Sequence, residues 1–199
     1  MNATVAARAD FAAIASWIRP GTRVLDLGCG DGALLAHLQG VLGARGYGVE
    51  IAPDNIVECV ANGINVIQAD LEGGLSIFAD GSFDYVILSQ TLQAVRNTER
   101  IVKEMLRVGR EGIVSFPNFG YWRYRSQVLA GRMPVDASLP YQWYETPNVH
   151  LCTMDDFELF CSHHGVRILE RVVMTGERAV TRLPNLLGRL AVYRLGRQV

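Results

Sequence analysis

The stretch Val24-Leu25-Asp26-Leu27-Gly28-Cys29-Gly30-Asp31-Gly32 limits what this chain can fold into more than any other. It opens as a short apolar run of branched residues, the pattern of a strand buried on both faces. Glycine then occupies the alternate positions 28, 30 and 32, and Leu34, Leu35, Leu38, Val41 and Leu42 follow at helical spacing. The order is strand, glycine-rich turn, helix. The glycines allow a tight turn and let a ligand approach bare main chain. The helix start behind them offers unpaired N–H groups and the positive end of a dipole.

Two ligands fit such a turn. Gly28, Gly30 and Ala33 match the dinucleotide pattern G-x-G-x-x-G/A, with Glu50 placed to hold a ribose diol. The other ligand is S-adenosylmethionine, which has no pyrophosphate but carries an ammonium, a carboxylate and a sulfonium. Asp26, at the strand end, would repel a pyrophosphate and attract the methionyl ammonium. The string D-x-G-x-G-x-G resembles the cofactor turn of class I S-adenosylmethionine-dependent methyltransferases.

Five strand–helix alternations follow from the spacing. A helix over 5–18 carries Phe11, Ile14 and Ile18 and stops at Pro20-Gly21. Strands are expected at 23–27, 47–50, 65–68, 83–88 and 112–116. Between them, Pro53 starts a helix with Ile56, Val57 and Val60 on one face, and Asn97 caps one with Ile101, Met105 and Val108 inside. Thr153 and Asp156 read as a capping box, and two last strands lie at 166–174 and 189–195. The expectation is one domain over 1–199: an α/β, doubly wound, mostly parallel seven-stranded sheet with helices on both faces, Rossmann-like. Residues 117–152 break the alternation. They contain a helix near 121–130, then prolines interleaved with Tyr141, Trp143 and Tyr144, which suits a lid or a partner-binding insertion. The alternative is a satellite core over the sheet end.

Net charge is −1, so no overall field points to nucleic acid or an acidic membrane. Arg171, Arg178, Arg182, Arg189, Arg194 and Arg197 crowd the last third, as a solvated rim or as an anion or partner site. Cys29, Cys59, Cys152 and Cys161 form no C-x-x-C pair, and neither a signal peptide nor an apolar run of spanning length is visible, so a cytoplasmic protein is the default expectation. Cys152, Cys161, His163 and His164 match no zinc spacing, and no metal site is expected.

In open α/β sheets ligands bind beyond the carboxyl ends of the strands. Asp26, Glu50, Asp70 and Ser89 all fall there. Glu50 can accept both ribose hydroxyls of an adenosine, or be a surface acid. Asp70 can accept from the adenine amino group, or cap a turn. Cys29, Ile51 and Leu71 complete the expected cofactor-binding set of Asp26, Gly28, Cys29, Gly30, Gly32, Glu50, Ile51, Asp70, Leu71 and Ser89. Beyond the fourth strand, Ser89, Gln90 and Gln93 include no strong acid or base, and neither an Asn/Asp-Pro-Pro-Tyr signature nor a Pro-Cys pair occurs. His150 is the lid's only histidine, so it is the general-base candidate, with a structural role as the alternative. No G-x-S-x-G elbow is present.

Val24–Gly32, Gln68-Ala69-Asp70-Leu71-Glu72, Val86–Gln93, Phe116-Pro117-Asn118-Phe119-Gly120 and Tyr141–Asn148 together resemble the MetW family of methionine-biosynthesis proteins. The resemblance implies S-adenosylmethionine or S-adenosylhomocysteine as ligand. It also implies a partner, the homoserine O-acyltransferase MetX, which has the α/β-hydrolase fold and carries the nucleophile. Two functions stay open: a helper of acyl transfer to homoserine, and a small-molecule methyltransferase.

Overall fold

The computed structural model describes residues 9–136 and 139–198, so positions 5–8 of the first expected helix lie outside the described residues. The chain runs α1 (Ala9–Trp17), β1 (Arg23–Leu27), α2 (Ala33–Leu42), β2 (Arg45–Glu50), α3 (Pro53–Ala61), β3 (Val66–Gln68) and β4 (Phe83–Ser89). Then come α4 (Thr98–Val108), β5 (Gly109–Pro117), α5 (Trp122–Leu129), α6 (Met154–His163), β6 (Val166–Thr175), β7 (Arg178–Ala179), α7 (Pro184–Leu187) and β8 (Leu190–Arg197). Single 3₁₀ turns occur at Leu71–Gly73 and Leu92–Ala94.

The strands form one sheet in the order β3-β2-β1-β4-β5-β8-β6-β7. β1 to β5 are parallel, and β8 runs antiparallel between β5 and β6. The sheet has eight strands where seven were expected. The extra one is β7, two residues that pair with the end of β6 across Gly176-Glu177. Gly176 has φ +59°, which lets so short a turn close.

Strand periodicity divides the core between the two faces. Leu25, Leu27, Val86, Leu88, Val114 and Phe116 join α4 and α6. The alternate residues Val24, Tyr85, Ile87, Ile113 and Val192 meet α1 and α2. Within the helices most expected details hold. Asn97 accepts from the Arg100 N–H at 2.9 Å, and Thr153 and Asp156 form a reciprocal capping box. α3 differs from its reading. Val57 and Val60 are exposed and Cys59 is its buried residue. The helix lies beside the edge strand β3, only three residues long, which offers too little sheet to cover a whole apolar face.

The segment leaving β5 is stitched in place by Asn118, which is fully buried. Its amide donates to the carbonyls of Asn185 and Gly188 at 2.9 and 2.8 Å, and its oxygen accepts from the N–H groups of Gly120 and Met154 at 3.0 and 3.3 Å. The motif Pro117-Asn118-Phe119-Gly120 thus joins β5, α6 and α7. At its far end the segment is tied to the 3₁₀ turn after β4: the N–H groups of Val149 and His150 both donate to the Gln93 carbonyl.

Candidate cofactor cradle

The turn after β1 has left-handed backbone at Gly28, Gly30 and Gly32, with φ of +67°, +56° and +78°. The three glycines differ in what they face. A Cβ at Gly28 would meet Thr91 at 2.6 Å, and one at Gly32 would meet Ile64 and Cys59 at 3.0 and 3.1 Å. A Cβ at Gly30 would meet nothing within 4 Å. Gly30 is therefore the point where a ligand can approach the main chain.

Glu50 closes the turn from the end of β2. Oε2 accepts from the Gly30 N–H at 2.9 Å, and Oε1 accepts from the Ile51 and Ala52 N–H groups at 2.8 and 2.9 Å. A carboxylate has about four acceptor sites, so three donors leave one for a ligand hydroxyl while this arrangement lasts. The expectation of unpaired N–H groups is corrected for four amides of the turn. Gly30 is taken by Glu50, Ala33 by Asp31 at 3.0 Å, and Gly28 and Cys29 by the Val49 carbonyl. A pyrophosphate would find these amides occupied and acids beside them. A ligand that presents hydroxyls and an ammonium would find acceptors.

Asp26 is buried near the end of β1, in register with Gly48 and Ile87 on the neighbouring strands. Ile51 is 58% exposed next to the buried Glu50 and offers an apolar surface at the rim. Asp70 is exposed after β3, and its Oδ1 caps the following turn by accepting from the Glu72 N–H at 2.9 Å. Leu71 packs against the core under that turn. The Cys29 side chain points away from the open side. It fills the space that glycine leaves at position 48, and its sulfur lies 3.7 Å from that of Cys59. Burial, then the nearby Asp26 charge, push the Cys29 thiol pKa well up.

Ser89 lies on the same sheet face as Asp26, two residues beyond Asp26's neighbour Ile87. Its hydroxyl donates to Asp10 Oδ2 at 2.8 Å, as does that of Ser115 at 3.0 Å. Asp10 is fully buried on α1 and was not singled out from the sequence. The available signal was its place on the inward stripe with Ile14 and Trp17, four and seven residues on. Gln90 follows with φ +52°, held by the Ser115 carbonyl. His150 is exposed, and its Nε2 lies 3.0 Å from the Arg96 carbonyl. A carbonyl only accepts, so Nε2 is the donor in this contact. The structure thus brings Asp26, Gly30, Glu50 and Ile51 to one turn, while Ser89 bonds Asp10 of α1 and His150 lies against the Arg96 carbonyl. Among the described residues, no helix is long and apolar enough to cross a membrane.

A family model described as methionine biosynthesis protein MetW matches residues 8–195. The bifunctional methionine biosynthesis protein MetXA/MetW of Rhodopirellula baltica is 42% identical over 173 residues, which are 82% of this chain and 28% of that protein. The norajmaline N-methyltransferase of Rauvolfia serpentina is 31% identical over 97 residues, 45% of this chain and 32% of that protein. The chain thus spans less than a third of the length of these two relatives. Among solved structures, an Archaeoglobus fulgidus S-adenosylmethionine-dependent methyltransferase superposes with a TM-score of 0.70 at 15% identity, covering 94% of this chain and 91% of that one. One from Mesorhizobium loti gives 0.68 at 17% identity, covering 96% and 99%. These likenesses establish the class I methyltransferase fold.

Proposed function

The chain belongs to the MetW family of methionine-biosynthesis proteins, and on that premise we propose that it binds S-adenosylmethionine or S-adenosylhomocysteine and assists a MetX-type homoserine O-acyltransferase. The observation that carries the partnership is the Rhodopirellula baltica relative, whose name joins MetXA and MetW in one chain. Support for the ligand is local. Gly30 opens to space, Glu50 keeps one acceptor site, Asp26 supplies a buried carboxyl group, and Ile51 offers an apolar rim. Asp70 has the second oxygen of its carboxylate for an adenine amino group.

Of the two candidate docking faces, the aromatic one is the freer. Arg171 pairs with Glu158, Arg189 with Asp136, and Arg194 with Glu111 and Glu170, while Arg197 donates to the carbonyls of Leu106 and Arg107. Trp143 and Tyr144 are 70% and 66% exposed. If S-adenosylmethionine binds the docked and free forms with different affinity, it biases the partnership. The deciding assay is homoserine acylation by a MetX-type enzyme alone, by this protein alone and by the mixture, with S-adenosylmethionine added and omitted. The proposal expects activity chiefly in the mixture. Full activity of the acyltransferase alone, with no co-purification, refutes it.

A second reading, methyl transfer to a small molecule, is favoured by the open face above Gly30. S-adenosylmethionine would supply an electrophilic methyl group there, and this chain would hold and orient the reactants. Labelled methyl transfer to a metabolite, slowed in His150→Ala, supports this reading, and its absence from a metabolite mixture counts against it.

A further inference from the structure

A cavity lies outside the cradle and shares no lining residue with it. It encloses about 450 Å³ between the 3₁₀ turn at Leu92–Ala94, the end of β5, the returning lid segment and α6. That volume is within the usual range for small-molecule sites, ~300–1,000 Å³. Leu92, Phe116 and Phe157 form buried walls, and Leu151, Cys152 and Phe160 continue them toward the mouth. The rings of Phe116 and Phe157 are 4.9 Å apart between centroids, which gives the interior a fixed aromatic surface. Burial pushes the Cys152 thiol up to about 12, so it behaves here as a neutral wall atom.

The charges sit at the mouth. Glu99 pairs with Lys103 and His164, and Asp156 is spent on its capping box. Arg96 also lines the mouth, and its guanidinium pairs with no acid among the described residues. Its main chain is fixed independently, with the N–H on Glu72 and the carbonyl on His150. A guanidinium matches a carboxylate through two parallel hydrogen bonds. A dianionic head would also face Glu99 and Asp156 and be repelled, so the site suits a single negative charge.

We propose that this cavity is a binding site for a small amphipathic carboxylate, with its apolar body against Phe116 and Phe157 and its head on Arg96. The site stands whichever reading of the cradle holds. The test uses octanoate as probe and octylamine as control on the full-length protein, followed by the methyl NMR signals of Leu92 and Leu151. Octanoate should shift the Leu92 methyls saturably, and octylamine should bind at least tenfold more weakly. Arg96→Gln should weaken octanoate about tenfold, the order expected for one charge-assisted pair, while the ligand-free spectrum stays unchanged elsewhere. Leu151→Trp, at the exposed mouth, should block entry. Unmoved Leu92 signals, equal binding of octylamine, or full affinity in Arg96→Gln each overturn the proposal.

Discussion

Replacing Glu50 by glutamine tests the cradle without any ligand. In the structure its carboxylate holds three N–H groups from two segments, Gly30 on the turn after β1 and Ile51 and Ala52 at the start of α3. A glutamine can keep its oxygen on Ile51 and Ala52. Its amide nitrogen then faces the Gly30 N–H, donor against donor. One charge-assisted bond is lost outright and two become neutral ones. A hydrogen bond to a charged group is worth about 1.5–3 kcal/mol, so the expected loss is about 2 kcal/mol. For a chain of 199 residues, each 1 kcal/mol moves Tm by about 2–4 °C, so Glu50→Gln should melt about 4–8 °C lower by circular dichroism. The same variant should bind S-adenosylmethionine at least about tenfold more weakly by calorimetry, since a weaker acceptor faces the ribose. A Tm within ~1 °C of the parent would refute the three-donor geometry. A lowered Tm with unchanged affinity would refute the cradle as the ligand site.

Three further outcomes follow from other parts of the molecule. Asn118→Ala strands the carbonyls of Asn185 and Gly188 and the Gly120 N–H, while the Met154 N–H keeps Asn185 Oδ1 at 3.3 Å, so it should cost about 3 kcal/mol and lower Tm by about 6–12 °C; a near-parental melt would refute the stitching role. Cys29, Cys59 and Cys161 are buried with raised thiol pKa values, so a disulfide reagent at neutral pH should label them at the unfolding rate, and rapid native labelling would contradict their burial. The Asp156 carboxyl is held below its ordinary value by the Thr153 N–H and hydroxyl. That contribution is complete above the unfolded pKa and disappears as pH falls through the folded one. Asp156→Asn should therefore be less stable than the parent near pH 6, with the gap closing in urea melts as pH falls below the ordinary carboxylate range. A gap independent of pH would refute the linkage.

Features written in neighbouring residues could be read before folding. Asn97 with Arg100, and Thr153 with Asp156, are contacts three residues apart, and the glycine turn declares itself by spacing alone. Glu50 was legible as an acid at a strand end, yet its three amide partners depend on how β1 and β2 are brought side by side. The Asp10 cluster joins residues 79 and 105 positions apart in the chain, and nothing local marks Ser89 as its donor. Asp70 shows one residue carrying both readings: its Oδ1 caps a turn, as many aspartates do, while the carboxylate still stands at the tip of β3. Val57 and Val60 misled because amphipathic spacing says that a face is apolar and not whether enough sheet exists beneath it.

The position of β8 sets the order in which the molecule can be completed. It is the last of the described strands, yet it sits inside the sheet, and β6 and β7 reach β5 only through it. During synthesis the strands up to β7 can emerge and still leave two open edges, one on β5 and one on β6, each able to recruit the wrong neighbour. Residues 190–197 therefore act as a late zipper: until they arrive the sheet is two pieces, and their arrival closes both seams at once.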